Sequence, residues 1–393
     1  MNSLNNIRPK ATVIVVGILD SPHFARWLRT LVELPITFIL FPSTPHRKIH
    51  PELRRLAAHK GIATVTILRF ESRLTIPIWI IDLVTRGDLR AYFLRRRIKQ
   101  EKPNLVHALE LQHAGYALHK AIKGVPIGKT KIALTNYGSD IYWFQRFPEH
   151  KTRLTELMHL ADFYSAECER DIELARAMGF GGEVLTVLPN AGGINDITSW
   201  STVDRDQVVD RKTVLIKGYT NFVGRAQDII SVITANAKRF DGWSLIVYSA
   251  TLRARLMCAF VRIRQPQLKL RSIRKKSLTH AEMINHFKMA AAYVGFSQSD
   301  GISTSFLEAL AHGAYPLQTS TACVSEWRDR GALFSPLEVN DPESAVEELL
   351  RILGDSSLRI EAAKKNRGVA LVYIDANKIG RQMREDYARI LAL

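Results

Sequence analysis

The stretch Val294 to Ser320, VGFSQSDGISTSFLEALAHGAYPLQTS, restricts the fold of this chain more than any other. An apolar run of strand length, Ala290 to Phe296, ends in the turn cluster Ser297-Gln298-Ser299-Asp300-Gly301. Ser303, Thr304 or Ser305 can cap a helix that runs through Phe306, Leu307 and Leu310. Gly313 stops that helix, and Tyr315-Pro316-Leu317 opens the next strand. Strands that alternate with helices in this way build a parallel α/β sheet.

The same unit carries two acids. Asp300 lies on the turn and Glu308 on the helix. Between them, the backbone amides of Gly301, Ile302, Ser303, Thr304 and Ser305 fall at a helix N-terminus. Unpaired amides and the helix dipole make such a place suited to a diphosphate. A carboxylate about one turn further in can accept hydrogen bonds from ribose hydroxyls, and one on the turn can do so for sugar hydroxyls. In open α/β sheets, ligands bind at the carboxyl ends of strands, where this turn falls. The plain alternative is a capped helix with two solvated acids.

Asp300-x7-Glu308, followed by Ala309-Leu310-Ala311-His312-Gly313 and Tyr315-Pro316-Leu317-Gln318, resembles the acid-x7-Glu signature of retaining glycosyltransferases of family 4, which have the GT-B fold. The family pattern has Glu first; this chain has Asp300. The resemblance implies that Glu308 holds the ribose of a nucleotide donor, that amides from Gly301 to Ser305 meet the phosphates, and that Asp300 faces the donor sugar.

Other segments fit the same plan. Ala11 to Ile18 (ATVIVVGI) is an apolar β-rich run suited to a strand covered on both faces. No G-x-G-x-x-G follows it, which argues against a nicotinamide dehydrogenase; the loop carries His23 and Arg26 instead. Ile36 to Phe41 and Ile62 to Phe70 read as strands, with a helix over Pro51 to Lys60 between them. Lys102-Pro103-Asn104-Leu105-Val106-His107 resembles the family's Lys-Pro-(Asp/Asn)-x-Val-His, where a histidine enters the cleft near the acceptor. His107 inside the strand and His113 beyond its end are both candidates, the alternative for His107 being a satisfied core histidine, and His113 is preferred as the catalytic one. Tyr137-Gly138-Ser139-Asp140 resembles the family's Gly-Ser-Asp loop. Gly138 allows close backbone approach there, and Asp140 either binds acceptor hydroxyls or caps the next helix. Val187-Leu188-Pro189-Asn190-Ala191 resembles the segment that closes the first domain.

The polar, aperiodic stretch 194–211 marks the domain boundary. Its Asp204-Arg205-Asp206 has the form of a D-x-D metal site but no strand end to position it, so no metal is expected. Lys212 to Lys217 starts a second β/α series, and Gly224-Arg225 precedes its first helix. In the family this loop neutralises the donor diphosphate. Lys217 and Arg225 are the matching charges, and Arg225 is the stronger expectation because guanidinium suits bidentate phosphate contact.

The charge balance, 55 Lys and Arg against 38 Asp and Glu for a net +17, favours polyanionic partners. Basic helix Arg86 to Lys102 and basic stretch Leu252 to Lys276 are solvated faces or contacts for anionic headgroups. Zinc-finger spacing, RNP-type aromatics and basic-region heptads are absent, so no nucleic-acid partner is expected. The three cysteines, Cys168, Cys258 and Cys323, form neither a disulfide framework nor a C-x-x-C pair, which points to a reducing compartment. No signal-peptide core and no run of about 18 apolar residues is present.

The expected architecture is therefore α/β and of GT-B type, with two Rossmann-like domains whose parallel sheets face a central cleft. Residues 1–197 form the acceptor domain and 198–375 the nucleotide-sugar domain; 376–393 form a helix packing back on the first. The expected activity is retaining, metal-independent transfer of a hexose from a nucleotide-diphosphate sugar, UDP- or GDP-linked, with no cofactor. The acceptor is a polysaccharide, lipopolysaccharide or lipid-linked glycan. The expected place is the cytoplasm, with the inner face of the plasma membrane as a candidate surface. Two alternatives stay open: a sugar-nucleotide epimerase on the same fold, and a basic scaffold binding membrane or nucleic acid.

Overall fold

The structure is a computed structural model that describes residues 9–44, 48–59, 61–68, 75–85, 87–195, 197, 208–275 and 277–393. The side chains of 75–79 are outside the description, as are Arg86, Lys276 and the Asp204-Arg205-Asp206 triplet. The chain divides into two compact units: Met1–Gly193 with Ala376–Leu393, and Ile194–Asp375.

In the first unit, β1 (Ala11–Gly17), β2 (Ile36–Pro42), β3 (Thr64–Ile67), β4 (Leu105–Leu109), β5 (Lys131–Thr135), β6 (Phe163–Ser165) and β7 (Glu183–Val184) form a parallel sheet in the order β3-β2-β1-β4-β5-β6-β7. Its helices are α1 (Pro22–Leu31), α2 (Pro51–Ala58), α3 (Thr75–Val84), α4 (Asp88–Glu101), α5 (Tyr116–Ile122), α6 (Pro148–Leu160), α7 (Glu169–Ala177) and, at the end of the chain, α15 (Ala376–Leu391). The alternation of side chains along β1 splits the core into two layers. Val13 and Val15 pack with Phe24, Trp27 and Leu28 of α1 and with Ile379, Met383 and Tyr387 of α15. Ile14 and Val16 pack on the other face with Leu94 and Ile98 of α4 and Leu118 of α5. Each such fully buried aliphatic side chain contributes roughly 1.5–3 kcal/mol. α1 starts at a local signal: Ser21 accepts from the Phe24 amide, and Pro22 stands in the first turn.

The second unit repeats the plan. β8 (Thr213–Lys217), β9 (Ser244–Ala250), β10 (Leu270–Arg274), β11 (Ala290–Gly295), β12 (Tyr315–Thr319) and β13 (Ser335–Leu337) form a parallel sheet in the order β10-β9-β8-β11-β12-β13. The helices are α8 (Ala226–Ala235), α9 (Leu252–Arg264), α10 (His280–Met289), α11 (Thr304–His312), α12 (Ser325–Asp329), α13 (Pro342–Gly354) and α14 (Ser356–Tyr373). Strand order reverses direction at β1/β4 in one unit and at β8/β11 in the other. A crevice opens at such a switch point, beyond the carboxyl ends of the strands, and ligands of open α/β sheets bind there.

The parallel α/β architecture expected from the sequence is present. Several details differ. Among the described residues the third strand covers Thr64–Ile67, with Arg69 and Phe70 of the expected run lying outside them, and β7 is two residues long. Helices α3, α5 and α6 and strand β13 have no counterpart in the sequence reading. The last residue of the first unit's long segment is Gly193, a few residues before the boundary read from the polar stretch.

Candidate functional site

The β8/β11 switch point brings together residues far apart in sequence. Lys217 is the last residue of β8, and Asp300 follows β11. Lys217 Nζ lies 3.1 Å from Asp300 Oδ2 and donates to Ser303 Oγ at 3.0 Å. Burial works against the Lys217 ammonium, yet Asp300, Tyr293 and Tyr219 together hold its pKa above the ordinary lysine value, so it stays charged. Ser303 is the N-cap residue of α11, but its side chain makes no cap hydrogen bond. Its hydroxyl is turned to Lys217; the Phe306 amide donates to the Ser303 carbonyl at 2.9 Å, and the Thr304 and Ser305 amides are the first-turn donors open to a ligand. Gly301 donates its amide to Asp300 Oδ1 at 3.1 Å, and Ile302 and Ser303 are buried behind it.

Glu308 sits one turn into α11 and is 5% exposed. Its Oε1 lies 3.0 Å from Nε2 of His280, the first residue of α10. A capping box of Thr279 and Glu282 fixes the start of α10, and therefore the place of His280. His280 is not among the site residues expected from the sequence. Tyr219, just past β8, is also new to the site: Lys217 Nζ and Lys275 Nζ lie 5.3 Å and 5.1 Å from its ring centre.

Arg225 does not join this group. Its Nε pairs with Asp228 Oδ2, and its Nη1 reaches Val339 O and Asn340 Oδ1, each at 3.4 Å, beyond the end of β13. The expectation that Arg225 is the leading diphosphate cation is corrected: an acid three residues along the same helix takes its guanidinium. Lys217 is the cation beside Asp300.

In the first unit, the loops after β4 and β5 carry a buried acid pair. Glu110 follows β4 with φ 83°, a left-handed value that strains a non-glycine residue. The strain is offset by its carboxylate, which accepts from the amides of His113 and Ala114 and caps the short wide-turn helix Leu111–Gly115. That cap places His113, whose Nδ1 lies 3.2 Å from Glu110 Oε2 and whose side chain is 57% exposed. The hydrogen bond to Glu110 outweighs burial and raises the His113 pKa, so the imidazolium persists to higher pH than usual. Asp140 Oδ2 accepts from the amides of Leu111 at 2.9 Å and Tyr137 at 3.0 Å. Burial first, then the nearby Glu110, lifts the Asp140 pKa well above the carboxylate range. Asp140 thus ties the two loops together, and it does not cap the next helix, whose N-cap Phe147 makes no side-chain cap bond. Gly138 occupies φ 55°, as its loop requires, between Tyr137 and Ser139. The Tyr137 hydroxyl is buried rather than presented.

His107 is corrected as an acceptor-side residue. It is buried in β4, with Nε2 2.7 Å from Thr135 Oγ1 and Nδ1 against the Tyr387 hydroxyl of α15. Burial pushes its pKa down to about 3, so it is a neutral core histidine.

The two units together have the α/β fold of GT-B proteins. The structure is similar over 97% of this chain and 96% of the other to the α,α-trehalose 6-phosphate synthase of Burkholderia multivorans, with a TM-score of 0.68 at 11% identity. It is similar to a glycosyltransferase of Rickettsia africae (TM-score 0.66, 13% identity, 97% and 99% covered). It is also similar to Anabaena Alr3699/HepE in complex with UDP and glucose (TM-score 0.63, 12% identity, 96% and 100% covered). The sequence itself matches no protein-family model and no curated protein.

Proposed function

We propose that the protein is a retaining glycosyltransferase whose second unit binds a nucleotide-diphosphate sugar and whose first unit supplies the acceptor side. The carrying observation is the group at the β8/β11 switch point: Lys217, Asp300 and Ser303 at a helix N-terminus that lacks its side-chain cap, with Glu308 one turn in. Glu308 accepts from the ribose hydroxyls, displacing or sharing the His280 contact. The first-turn amides and the Lys217 ammonium meet the diphosphate, and Asp300 orients the sugar. The bond from the anomeric carbon to the diphosphate oxygen breaks. The acceptor hydroxyl oxygen bonds to that carbon on the same face and gives its proton to the departing phosphate oxygen. Charge grows on the diphosphate during this step, and fixed amides and a buried ammonium stabilise it without reorganising. In this reading no metal or cofactor takes part.

UDP is the favoured nucleotide, since a structure of this fold is complexed with UDP and glucose. The acceptor class is a polysaccharide, lipopolysaccharide or lipid-linked glycan. The first-unit residue assigned to it in this reading is His113, supported by its hold on Glu110 and its half-exposed side chain.

Calorimetric titration with UDP, GDP, ADP and their sugar conjugates, without added metal, tests the donor site. Saturable binding of one nucleotide is expected, weakened at least about tenfold in Glu308→Ala, the loss of one or more hydrogen bonds to a charged group. No binding of any nucleotide, or equal binding by the variant, defeats the assignment. Incubation with the bound sugar conjugate and candidate glycans then separates transfer, which yields a new glycoside, from epimerisation, which yields an isomeric donor.

A further inference from the structure

Helix α9, LRARLMCAFVRIR, carries apolar residues on two opposite sides. Ala254, Cys258 and Val261 are buried and attach the helix to its unit. Leu252, Leu256, Phe260 and Ile263 are 67%, 62%, 57% and 80% exposed. At the α-helical pitch these four fall within an arc of about 80°, centred nearly opposite the buried stripe. They form a continuous ridge, which scattered surface leucines do not. The ridge is flanked by arginines on both sides, Arg253 and Arg264 on one and Arg255 and Arg262 on the other, and the helix has no acid. The Arg264 guanidinium lies 4.8 Å from the centre of the Phe260 ring, so cation and apolar surface are one continuous face. The adjoining edge strand β10 extends the charge with exposed Arg271 and Arg274.

We propose that α9 seats the second unit on a bilayer surface rich in anionic lipid, ridge toward the acyl chains and arginines at the phosphates. An apolar ridge between two rows of arginine suits an interface that is hydrocarbon below and anionic above. A second copy docked on the same face would set arginine against arginine with no acid on either helix. A nucleic acid would meet the arginines and leave the ridge in water. The surface does not depend on the donor-site reading. Where that reading also holds, it keeps the donor unit at a membrane carrying lipid-linked acceptors.

Flotation of the full chain with vesicles tests the assignment, using equal parts phosphatidylcholine and phosphatidylglycerol against phosphatidylcholine alone. Binding to the anionic vesicles only is expected, falling with added salt. Phe260→Ser with Ile263→Ser removes apolar surface without changing charge, and should weaken binding at least about tenfold. Arg255→Gln with Arg262→Gln should weaken it and flatten its salt dependence. All four residues are exposed, so thermal unfolding and nucleotide binding should match those of the unaltered protein in both variants. Unchanged binding by the apolar variant, with loss in Arg96→Gln plus Arg97→Gln on α4, overturns the assignment in favour of charge elsewhere on the chain. A concentration-dependent dimer in sedimentation that the apolar variant abolishes overturns it in favour of self-association.

Discussion

Lys217 shows how one residue can be read correctly as a charge and still be misjudged in rank. Sequence marks both Lys217 and Arg225 as cations near a diphosphate site. Only the packing shows that Asp228 and the segment after β13 hold Arg225, while Lys217 is enclosed against Asp300. Their side chains are only 15% and 22% exposed, so removing the lysine leaves a carboxylate short of its partner in poor solvent. Lys217→Met is expected to lower the stability of the second unit by about 2 kcal/mol. It should also weaken nucleotide-diphosphate binding more than nucleoside binding. Denaturant unfolding and parallel titrations with UDP and uridine measure the two effects; equal losses for both ligands would remove Lys217 from the phosphate site. Asp300 and Glu308 were legible because a turn and a helix phase fix them locally. His280 and Lys275 were not, because their helix start and strand end reach the site only through the sheet order.

Elements were legible in proportion to their periodicity. The apolar strands β1, β2 and β8 announce themselves through their β-rich runs. Helix α5 does not: six of its seven residues are buried, so no polar face alternates with the apolar one. β13 is three residues, too short for any pattern. His107 ties three elements together, β4 through its backbone, β5 through Thr135 and α15 through Tyr387. Its pKa falls from 6.5 to about 3 in the fold. The unfolded chain therefore takes up a proton that the native state refuses, and stability falls as pH drops below about 6.5. His107→Gln keeps hydrogen-bonding groups there but does not titrate. Between about pH 7.5 and about pH 5 the unaltered first unit should lose about 2 kcal/mol more than this variant. Denaturant unfolding at the two pH values measures the difference, and parallel losses would mean His107 is not the group responsible.

At the scale of the whole molecule, the first unit is discontinuous: its sheet is built from the start of the chain and its outer layer includes α15 from the end. Ile379, Met383 and Tyr387 are buried in that layer, and Asp386 Oδ2 accepts from the Thr186 amide at 2.9 Å. Deleting residues 376–393 uncovers Trp27 and the hydroxyl-bonded side of His107. The first unit should then lose its cooperative unfolding transition, while the second keeps its own and its nucleotide affinity. Differential scanning calorimetry with and without UDP reads both; one transition lost together with the other would show that the units unfold as one. By itself, the sequence determined the parallel α/β class, the place of the strand–turn–helix that carries Asp300 and Glu308, and the loops that carry His113 and Asp140. Those rest on apolar period, caps and turn residues, which act within a few residues of one another. Tertiary structure alone decided which cation meets Asp300, that His107 belongs to the core, and that α9 turns a second apolar ridge outward. Each of these depends on which surfaces the sheet order covers, and burial is a property of neighbours that local sequence does not contain.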